Sequence, residues 1–253
     1  MNKFTIKAPV LAVITLWLLL SSRLVLADEI RVAVASNFAD TIREVAKGFE
    51  NNTGHKVSVI SGSTGKHYAQ IINGAPFNLF FAADVRRARL LEEEGFIDAG
   101  SRFTYALGKL VLWSPAADYI DPHGRVITDG GFRYLAVANP RLAPYGRAAR
   151  EVLQGRGVWS SLRGRMVRGE NIGQTFQFVS SGNAELGFVS YSQIKRPGQP
   201  IKGSFWEVPQ PLYSSIEQQA VLLDDNDPAR SFLDYVKSDE ALEIIRGFGY
   251  GIP

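Results

Sequence analysis

The chain has 253 residues, and its 28 Lys and Arg residues against 25 Asp and Glu residues give a formal net charge of +3. The excess comes from residues 1–27, which hold three basic residues and no acidic one, so the other 226 residues are neutral. A general basic surface for nucleic acid is therefore excluded. Because cysteine is absent, the chain can form no disulfide, thiolate metal site or lipidated cysteine anchor, and it has no cysteine nucleophile.

Residues 1–27 have the three parts of a secretory signal. Lys3 and Lys7 precede an apolar segment at 8–20, and the signal ends in Val25-Leu26-Ala27, with a small residue last. An apolar run of about 13 residues is short for a membrane span, which needs about 20. We therefore predict cleavage after Ala27 and an exported protein of the bacterial periplasm.

Strand-like and helix-like segments alternate from residue 30 onwards. Hydrophobic spacing predicts strands at 30–35, 56–60 and 79–82, each followed by a helix, at 41–50, 68–73 and 85–94. Three βα units in about 65 residues favour a mainly parallel sheet with helices on both faces.

The second half of the chain predicts another α/β unit. The pattern gives strands at 108–113, 135–138, 186–189 and 218–223, helices at 146–154, 173–181, 228–236 and 240–246, and an extended loop at 197–211. We predict lobe I from residues 28–107 with 216–253, and lobe II from residues 108–215. Two lobes around a cleft favour ligand capture by hinge closure.

Four segments end a strand with small or hydroxyl-bearing residues and open a helix. They are residues 35–37, 61–65, 139–146 and 169–172. Helix N-termini expose unpaired N–H groups and about half a positive charge each, so four together offer about +2. Ligands of open α/β sheets bind at these carboxyl ends of strands. Each segment alone also fits a simple cap or turn, but together they predict a site for a small dianion without Lys or Arg.

Other kinds of site find little support in the sequence. The segment 62–66 is similar to a phosphate-binding loop, but Ile60 and His67 stand where that motif needs Gly and Ser or Thr. The three histidines lack metal-ligand spacing, and we interpret His67 as an exposed helix residue rather than a support of the site. No Gly-x-Ser-x-Gly motif is present, so we do not expect an enzyme.

Several short motifs, in order and at matching spacing, resemble the periplasmic molybdate-binding proteins of ABC transporters. They are Val34-Ala35-Ser36-Asn37-Phe38, Ser61-Gly62-Ser63-Thr64-Gly65-Lys66, the segment 76–84, Ala138-Asn139-Pro140 with Pro144-Tyr145-Gly146, Gly169-Glu170-Asn171-Ile172, the segment 185–189 and Phe248-Gly249-Tyr250. The resemblance implies an α/β fold of the type II periplasmic binding proteins. Each of its two lobes has a mixed, mainly parallel sheet flanked by helices, and the ligand lies in the cleft.

The resemblance also implies the ligand and its donors. The ligand is molybdate or tungstate, held by neutral hydrogen bonds, with no cofactor and with molybdenum present only as the bound oxyanion. Ser36 and Ser63 are expected to donate both hydroxyl and backbone N–H groups. Tyr145 and Ile172 are expected to donate backbone N–H groups, so their side chains matter less than their places at helix starts.

The fifth donor departs from one branch of the family. That branch uses a Tyr hydroxyl just after a strand, where this chain has Ser190, with Tyr191 one residue later. Another branch has an Asn beside the first hydroxyl residue, as Asn37 stands here. We assign the fifth donor to the side-chain amide of Asn37, with Tyr191 as the second choice.

The expected partner is an inner-membrane ABC transporter permease, and the expected state is a monomer. The main alternative is a binding protein for another tetrahedral oxyanion, such as sulfate or phosphate. A protonated phosphate needs an acceptor in the pocket, whereas sulfate differs from molybdate only in size. A periplasmic hydrolase or a sensory module is a weaker alternative, since we find no nucleophile–base pair and no further domain.

Overall fold

The computed structural model describes residues 29–253, so the predicted signal at 1–27 lies outside the described residues. The strands are β1 (Glu29–Ala35), β2 (Lys56–Gly62), β3 (Leu79–Ala82), β4 (Phe103–Gly108), β5 (Leu110–Ser114), β6 (Leu135–Ala138), β7 (Met166–Gly169), β8 (Leu186–Ser190), β9 (Ser204–Glu207) and β10 (Ile216–Leu222). The α-helices are α1 (Ala39–Thr53), α2 (Thr64–Ile72), α3 (Val85–Glu93), α4 (Val126–Asp129), α5 (Pro144–Gly155), α6 (Ile172–Ser180), α7 (Tyr191–Ile194), α8 (Asp227–Val236) and α9 (Asp239–Gly247).

The first sheet has the strand order β2-β1-β3-β10-β4. β1 is parallel to β2 and β3, whereas β10 is antiparallel to β3 and β4. Alternate residues of β1 face opposite sides: Val32 and Val34 pack in the cluster that contains α1, α8 and α9, and Ala33 packs in the cluster that contains α2 and α3. Both faces are therefore covered, which explains why the central strand β3 is apolar and buried at all four of its positions.

The second sheet repeats this design with the order β7-β6-β8-β5-β9. β6 is parallel to β7 and β8, and β5 is antiparallel to β8 and β9. Val137 lies in the cluster that includes α5, and Ala136 lies with Val179 of α6 on the other face. The fold is thus the expected α/β arrangement of two mixed sheets flanked by helices, and we call the β1–β4 and β10 half lobe I and the β5–β9 half lobe II.

The chain passes between the lobes at two adjacent points. β4 ends at Gly108, β10 begins at Ile216, and these two residues pair with each other. The strand predicted at 108–113 is in fact two strands that separate at Lys109, because the chain leaves one sheet there and enters the other. The residue-level division at 107/108 and 215/216 remains a prediction.

Two short strands escaped the sequence pattern. The region predicted as a loop at 197–211 contains β9, an edge strand paired only with β5. β7 is the opposite edge of the same sheet. Four-residue strands at an edge carry too few buried residues to give a clear alternation. Within residues 29–253, no helix combines the length and apolar character that a membrane span needs.

Candidate functional site

The four predicted segments meet at one small cavity between the lobes. Its volume is only about 10 Å³, and it is lined from lobe I by residues 35–37, 62–64 and 83, and from lobe II by residues 143–145 and 171–172. The five predicted site residues are all in its wall: Ser36, Asn37, Ser63, Tyr145 and Ile172. None of the twelve residues in this wall is charged. The cavity therefore offers hydrogen bonds and helix dipoles to a ligand, without an ion pair.

Ser36 follows β1 and has its backbone N–H already in use. That N–H donates to the Gly62 carbonyl at 2.9 Å, because β1 and β2 run side by side. This N–H is thus engaged with Gly62, and its expected donation to the ligand stays a prediction. Its Oγ accepts from the Gly173 N–H at 3.0 Å. A hydroxyl that accepts there keeps its own proton to donate into the cavity.

Ser63 is the N-cap residue of α2 and is 2% exposed. Its Oγ accepts from the Lys66 N–H at 3.3 Å, as an N-cap hydroxyl does. The proton of this hydroxyl is left for a ligand by the same reasoning as at Ser36.

Ile172 is the first residue of α6, where N–H groups have no partner within the helix. The next two N–H groups are already used, since Gly173 donates to Ser36 Oγ and Gln174 donates to Asn171 Oδ1 at 2.9 Å. Of the first three N–H groups of this helix, that of Ile172 remains for the cavity.

Tyr145 is the second residue of α5, after Pro144, which has no N–H. Helix α5 can begin here only because residue 146 is Gly: a Cβ at Gly146 would lie 2.3 Å from the Ala138 carbonyl oxygen. The Tyr145 hydroxyl accepts from Ser190 Oγ at 3.0 Å. It also lies where a Cβ on Gly108 would sit, between the lobes. Burial raises the pKa of this hydroxyl well above its ordinary value of 10. Since the hydroxyl is engaged with Ser190, the backbone N–H remains the expected donor to a ligand.

The Asn37 amide is held from the lobe I side. Its Nδ2 donates to Gln218 Oε1 at 2.7 Å and to the Tyr250 hydroxyl at 3.0 Å. Asn37 is 4% exposed, and its Oδ1 and Gln218 Nε2 are both buried without a partner. In this orientation the amide presents an acceptor rather than the donor expected of it.

Tyr191, the second choice for the fifth donor, lies outside the cavity wall. Its backbone N–H donates to the Lys109 carbonyl at 3.0 Å. Its ring fills the space beside Gly249, where a Cβ would come within 2.5 Å. The neighbouring Ser190 instead contacts Tyr145, so this segment supports the site without entering it.

His67 is buried, not exposed as predicted. It is 2% exposed, with Nε2 3.2 Å from the Val34 carbonyl and Nδ1 3.0 Å from Gln70 Oε1. A Cβ on Gly62 would lie 2.7 Å from Nε2, so the ring packs directly under the end of β2. Burial lowers the pKa of this imidazole below 6.5. The sequence holds one signal for this position, since His67 is four residues before the buried Ile71 on the same helix face.

Charged residues lie around the cavity rather than in it. Lys66 pairs with Glu170 across the lobes at 3.2 Å, and both side chains are about half exposed. This pair belongs to an open, charged groove that meets the cavity at Ser36 and Asn37. Among residues 29–253, no group of three or more His, Asp or Glu side chains could hold a metal ion.

The chain was compared with known protein families. Residues 30–251 match the family model described as bacterial extracellular solute-binding protein. The chain is 48% identical over 229 residues to the molybdate-binding protein ModA of Azotobacter vinelandii, covering 89% of this chain and 91% of that protein. It is 46% identical over 229 residues to the molybdate-binding protein ModA of Rhodobacter capsulatus, covering 88% of each.

A solved structure has the same fold. The periplasmic molybdate-binding protein of Azotobacter vinelandii superposes with a TM-score of 0.86 at 41% sequence identity. The match covers 88% of this chain and 99% of that one. Since nearly the whole of both chains is matched, the similarity includes the cleft as well as the two sheets.

Proposed function

Since the chain belongs to the bacterial extracellular solute-binding proteins, we propose that it captures molybdate and delivers it to an ABC transporter. The observation that carries the proposal is the uncharged cavity where four strand ends and helix starts from both lobes meet. The similarity to two molybdate-binding proteins supports molybdate as the ligand. On this proposal the protein is a binding protein and not an enzyme.

Molybdate is an unprotonated dianion. It can only accept hydrogen bonds, so the cavity needs to supply donors alone. The hydroxyl groups of Ser36 and Ser63 and the backbone N–H groups of Tyr145 and Ile172 are four such donors. The starts of α2, α5 and α6 add partial positive charge at the same place. Such neutral donors keep their directions when the ligand leaves, so binding needs no rearrangement of ion pairs.

Asn37 becomes a fifth donor if its side-chain amide and that of Gln218 both rotate by 180°, which exchanges the oxygen and nitrogen positions of each amide. Gln218 Nε2 then donates to Asn37 Oδ1, and the hydrogen bond between the two residues is preserved with its direction reversed. The Asn37 NH₂ group takes the position of the unpartnered oxygen. This exchange places a donor beside the anion where Asn37 had an unpaired acceptor, and the unpaired atom of Gln218 becomes its oxygen.

Tungstate has the same shape and charge as molybdate, and we propose that it binds too. A protonated phosphate would need an acceptor in the cavity, which the reversed Asn37 amide no longer supplies. The predicted signal at 1–27 supports a periplasmic location. We further propose that the protein acts as a monomer with an inner-membrane permease as its partner.

Calorimetric titration of the chain without residues 1–27 tests the proposal. We expect one-to-one binding of molybdate and tungstate, and no heat with sulfate or phosphate at the same concentrations. Preferential binding of sulfate or phosphate would show that the cavity serves a different oxyanion and would contradict molybdate as the ligand. Absence of binding to all four anions would contradict the proposed function.

A further inference from the structure

A buried ion cluster joins the two lobes beside the anion cavity. Asp84 lies two residues after the end of β3 in lobe I, and its Oδ2 contacts Arg87 Nη1 at 2.6 Å and Arg147 Nη2 at 3.3 Å. Arg147 belongs to α5 in lobe II. The Asp84 and Arg87 side chains are 7% and 10% exposed, against 37% for Arg147. The cluster thus has its carboxylate and one guanidinium in lobe I and a second guanidinium from lobe II.

Two further lobe I groups contact the same short segment of lobe II. Arg87 Nη2 donates to the Arg141 carbonyl at 2.9 Å, and the Gly65 N–H donates to the Leu142 carbonyl at 2.9 Å. With the Asp84–Arg147 pair, three lobe I groups grip residues 141–147. Tyr145, which lies in the cavity wall and whose N–H is the expected donor, is inside that segment.

We propose that Arg147, through Asp84, is a positioning residue for anion binding: it holds the start of α5 against lobe I and so slows anion release. Arg147 is not in the cavity wall, so it acts without touching the anion. The proposal extends the proposed function, because it concerns the same site and the closure of the same cleft.

The charge arrangement suits a contact that must open again. Asp84 also caps α3 by accepting from the Arg87 N–H at 2.9 Å, so the Asp84–Arg87 pair is complete within lobe I. When the lobes part, Asp84 loses its contact with Arg147, but its buried carboxylate remains paired with Arg87. Opening therefore avoids the large cost of an isolated buried charge.

The opposite flank of the cavity has exposed ion pairs as well as buried hydrogen bonds between the lobes, since Ser192 Oγ donates to the Asn37 carbonyl at 3.0 Å and contacts the Tyr250 hydroxyl at 2.7 Å. There Lys66 pairs with Glu170, and Arg196 pairs with Asp40, which also binds Arg43. The four side chains of these two cross-lobe pairs are 36–53% exposed. Exposed pairs contribute little because water and salt screen them. Among the ion pairs that join the lobes, we therefore expect that of Asp84 and Arg147 to contribute most to closure.

The lobes also attract each other at longer range. Residues 28–107 with 216–253 carry 12 basic and 18 acidic residues, whereas residues 108–215 carry 13 basic and 7 acidic ones. Opposite net charges favour closure, but salt screens charges that are farther apart than about 8 Å at physiological ionic strength. The partly buried Arg147 pair is screened less, so its effect should persist at high salt.

Stopped-flow measurement of anion release from the Arg147→Leu variant tests the proposal. We expect the molybdate dissociation rate to rise about 5- to 30-fold, between the effects of an exposed and a buried pair. The association rate should stay within about twofold, and Arg147→Lys should restore part of the slow release. Arg150→Leu is the matched control, since Arg150 lies within one turn of Arg147 on the same helix and is exposed to solvent.

A second readout needs no ligand. The chain has no cysteine, so Lys47→Cys on α1 and Gln154→Cys on α5 allow spin labels to be placed on the two lobes. We expect Arg147→Leu, and not Arg150→Leu, to shift the ligand-free distance distribution towards longer values. If Arg147→Leu matches Arg150→Leu in both release rate and distances, the proposal is wrong. If the parent chain binds no anion, the proposed function fails, and the distances still decide whether Arg147 joins the lobes.

Discussion

The cavity wall and the Asp84 cluster lie next to each other and use opposite chemistry. The wall has hydroxyl groups, an amide and helix N–H groups, and none of its residues is charged. The cluster places a carboxylate and two guanidinium groups in a largely buried contact between the lobes. Both sit where lobe I meets the start of α5.

This difference indicates a division of labour between ligand and lobes. A fixed cation in the cavity would bind many anions, whereas directed neutral donors require an anion with free acceptors on all sides. Charges placed at the lobe contact can stabilise closure without competing for the ligand. Each of the following changes breaks or sharpens that separation.

The largest effect should follow a charge placed in the neutral wall. In Asn37→Asp a carboxylate of nearly the same size faces the dianion, and like charges in contact cost several kcal/mol. We expect molybdate affinity to fall by at least about 100-fold, or roughly 3 kcal/mol. Calorimetric titration measures the change.

Asn52→Asp is the control, since it adds the same charge on an exposed face of α1. Its affinity should match that of the parent chain. An Asn37→Asp variant with unchanged affinity would show that residue 37 does not face the anion.

Removal of one neutral donor should have a smaller effect. Ser36→Ala and Ser63→Ala each delete a hydroxyl that would bond a charged ligand, at a cost of about 1–3 kcal/mol or roughly 5- to 150-fold in affinity. Ser160→Ala, at an exposed position, should leave the titration unchanged. Unaltered affinity in both cavity variants would exclude these hydroxyl groups as donors.

The Tyr145 side chain should matter for stability rather than for binding. Tyr145→Phe removes a buried hydrogen bond with Ser190, and we expect unfolding free energy to fall by about 0.5–1.5 kcal/mol. Molybdate affinity should change by less than about threefold, because the proposed donor is the backbone N–H. Urea unfolding and titration of the same variant separate the two effects. An affinity loss above tenfold would place the hydroxyl in the binding site.

The smallest effect should appear in the pH dependence of stability. Burial lowers the pKa of His67 below the ordinary value of 6.5, so below that pH the unfolded chain takes up a proton that the folded chain resists. Stability is therefore full above 6.5 and falls as the pH drops towards the folded pKa. His67→Gln should flatten this fall between pH 7 and 5 in urea titrations. His123→Gln, at an exposed position, should retain the slope of the parent chain.

Most of the secondary structure followed from local patterns. The strands at 79–82 and 135–138 have the predicted bounds, and the long helices α1, α5 and α8 were found within a few residues at each end. Continuous apolar runs and helical spacing are strong signals where an element is buried on a regular face. The short edge strands β7 and β9 were missed because their neighbours, rather than their own residues, define them.

The five residues predicted for the site lie together in the cavity wall, and their individual roles as donors stay predictions. A hydroxyl-bearing residue at the start of a helix can be recognised from the sequence as a cap. The sequence does not show which backbone N–H groups stay unpaired, because that depends on the neighbouring strand. The Ser36 N–H, for example, donates to the Gly62 carbonyl. The resemblance to a family supplied the choice among the candidates that caps and turns alone left open.

The sequence by itself determined the α/β alternation and the chemistry of the four segments that meet at the cavity. It also predicts the export signal. These features depend on residues close together in the chain. Only the tertiary structure decided the partners of Asn37, which lie 181 and 213 residues away, the burial of His67, and the pairing of Asp84 with Arg147, 63 residues apart. Their physical reason is tertiary packing, within lobe I for Asn37 and His67 and between the lobes for Asp84 and Arg147, since hydrogen bonds and ion pairs of buried groups are set by whatever the fold brings within about 3 Å.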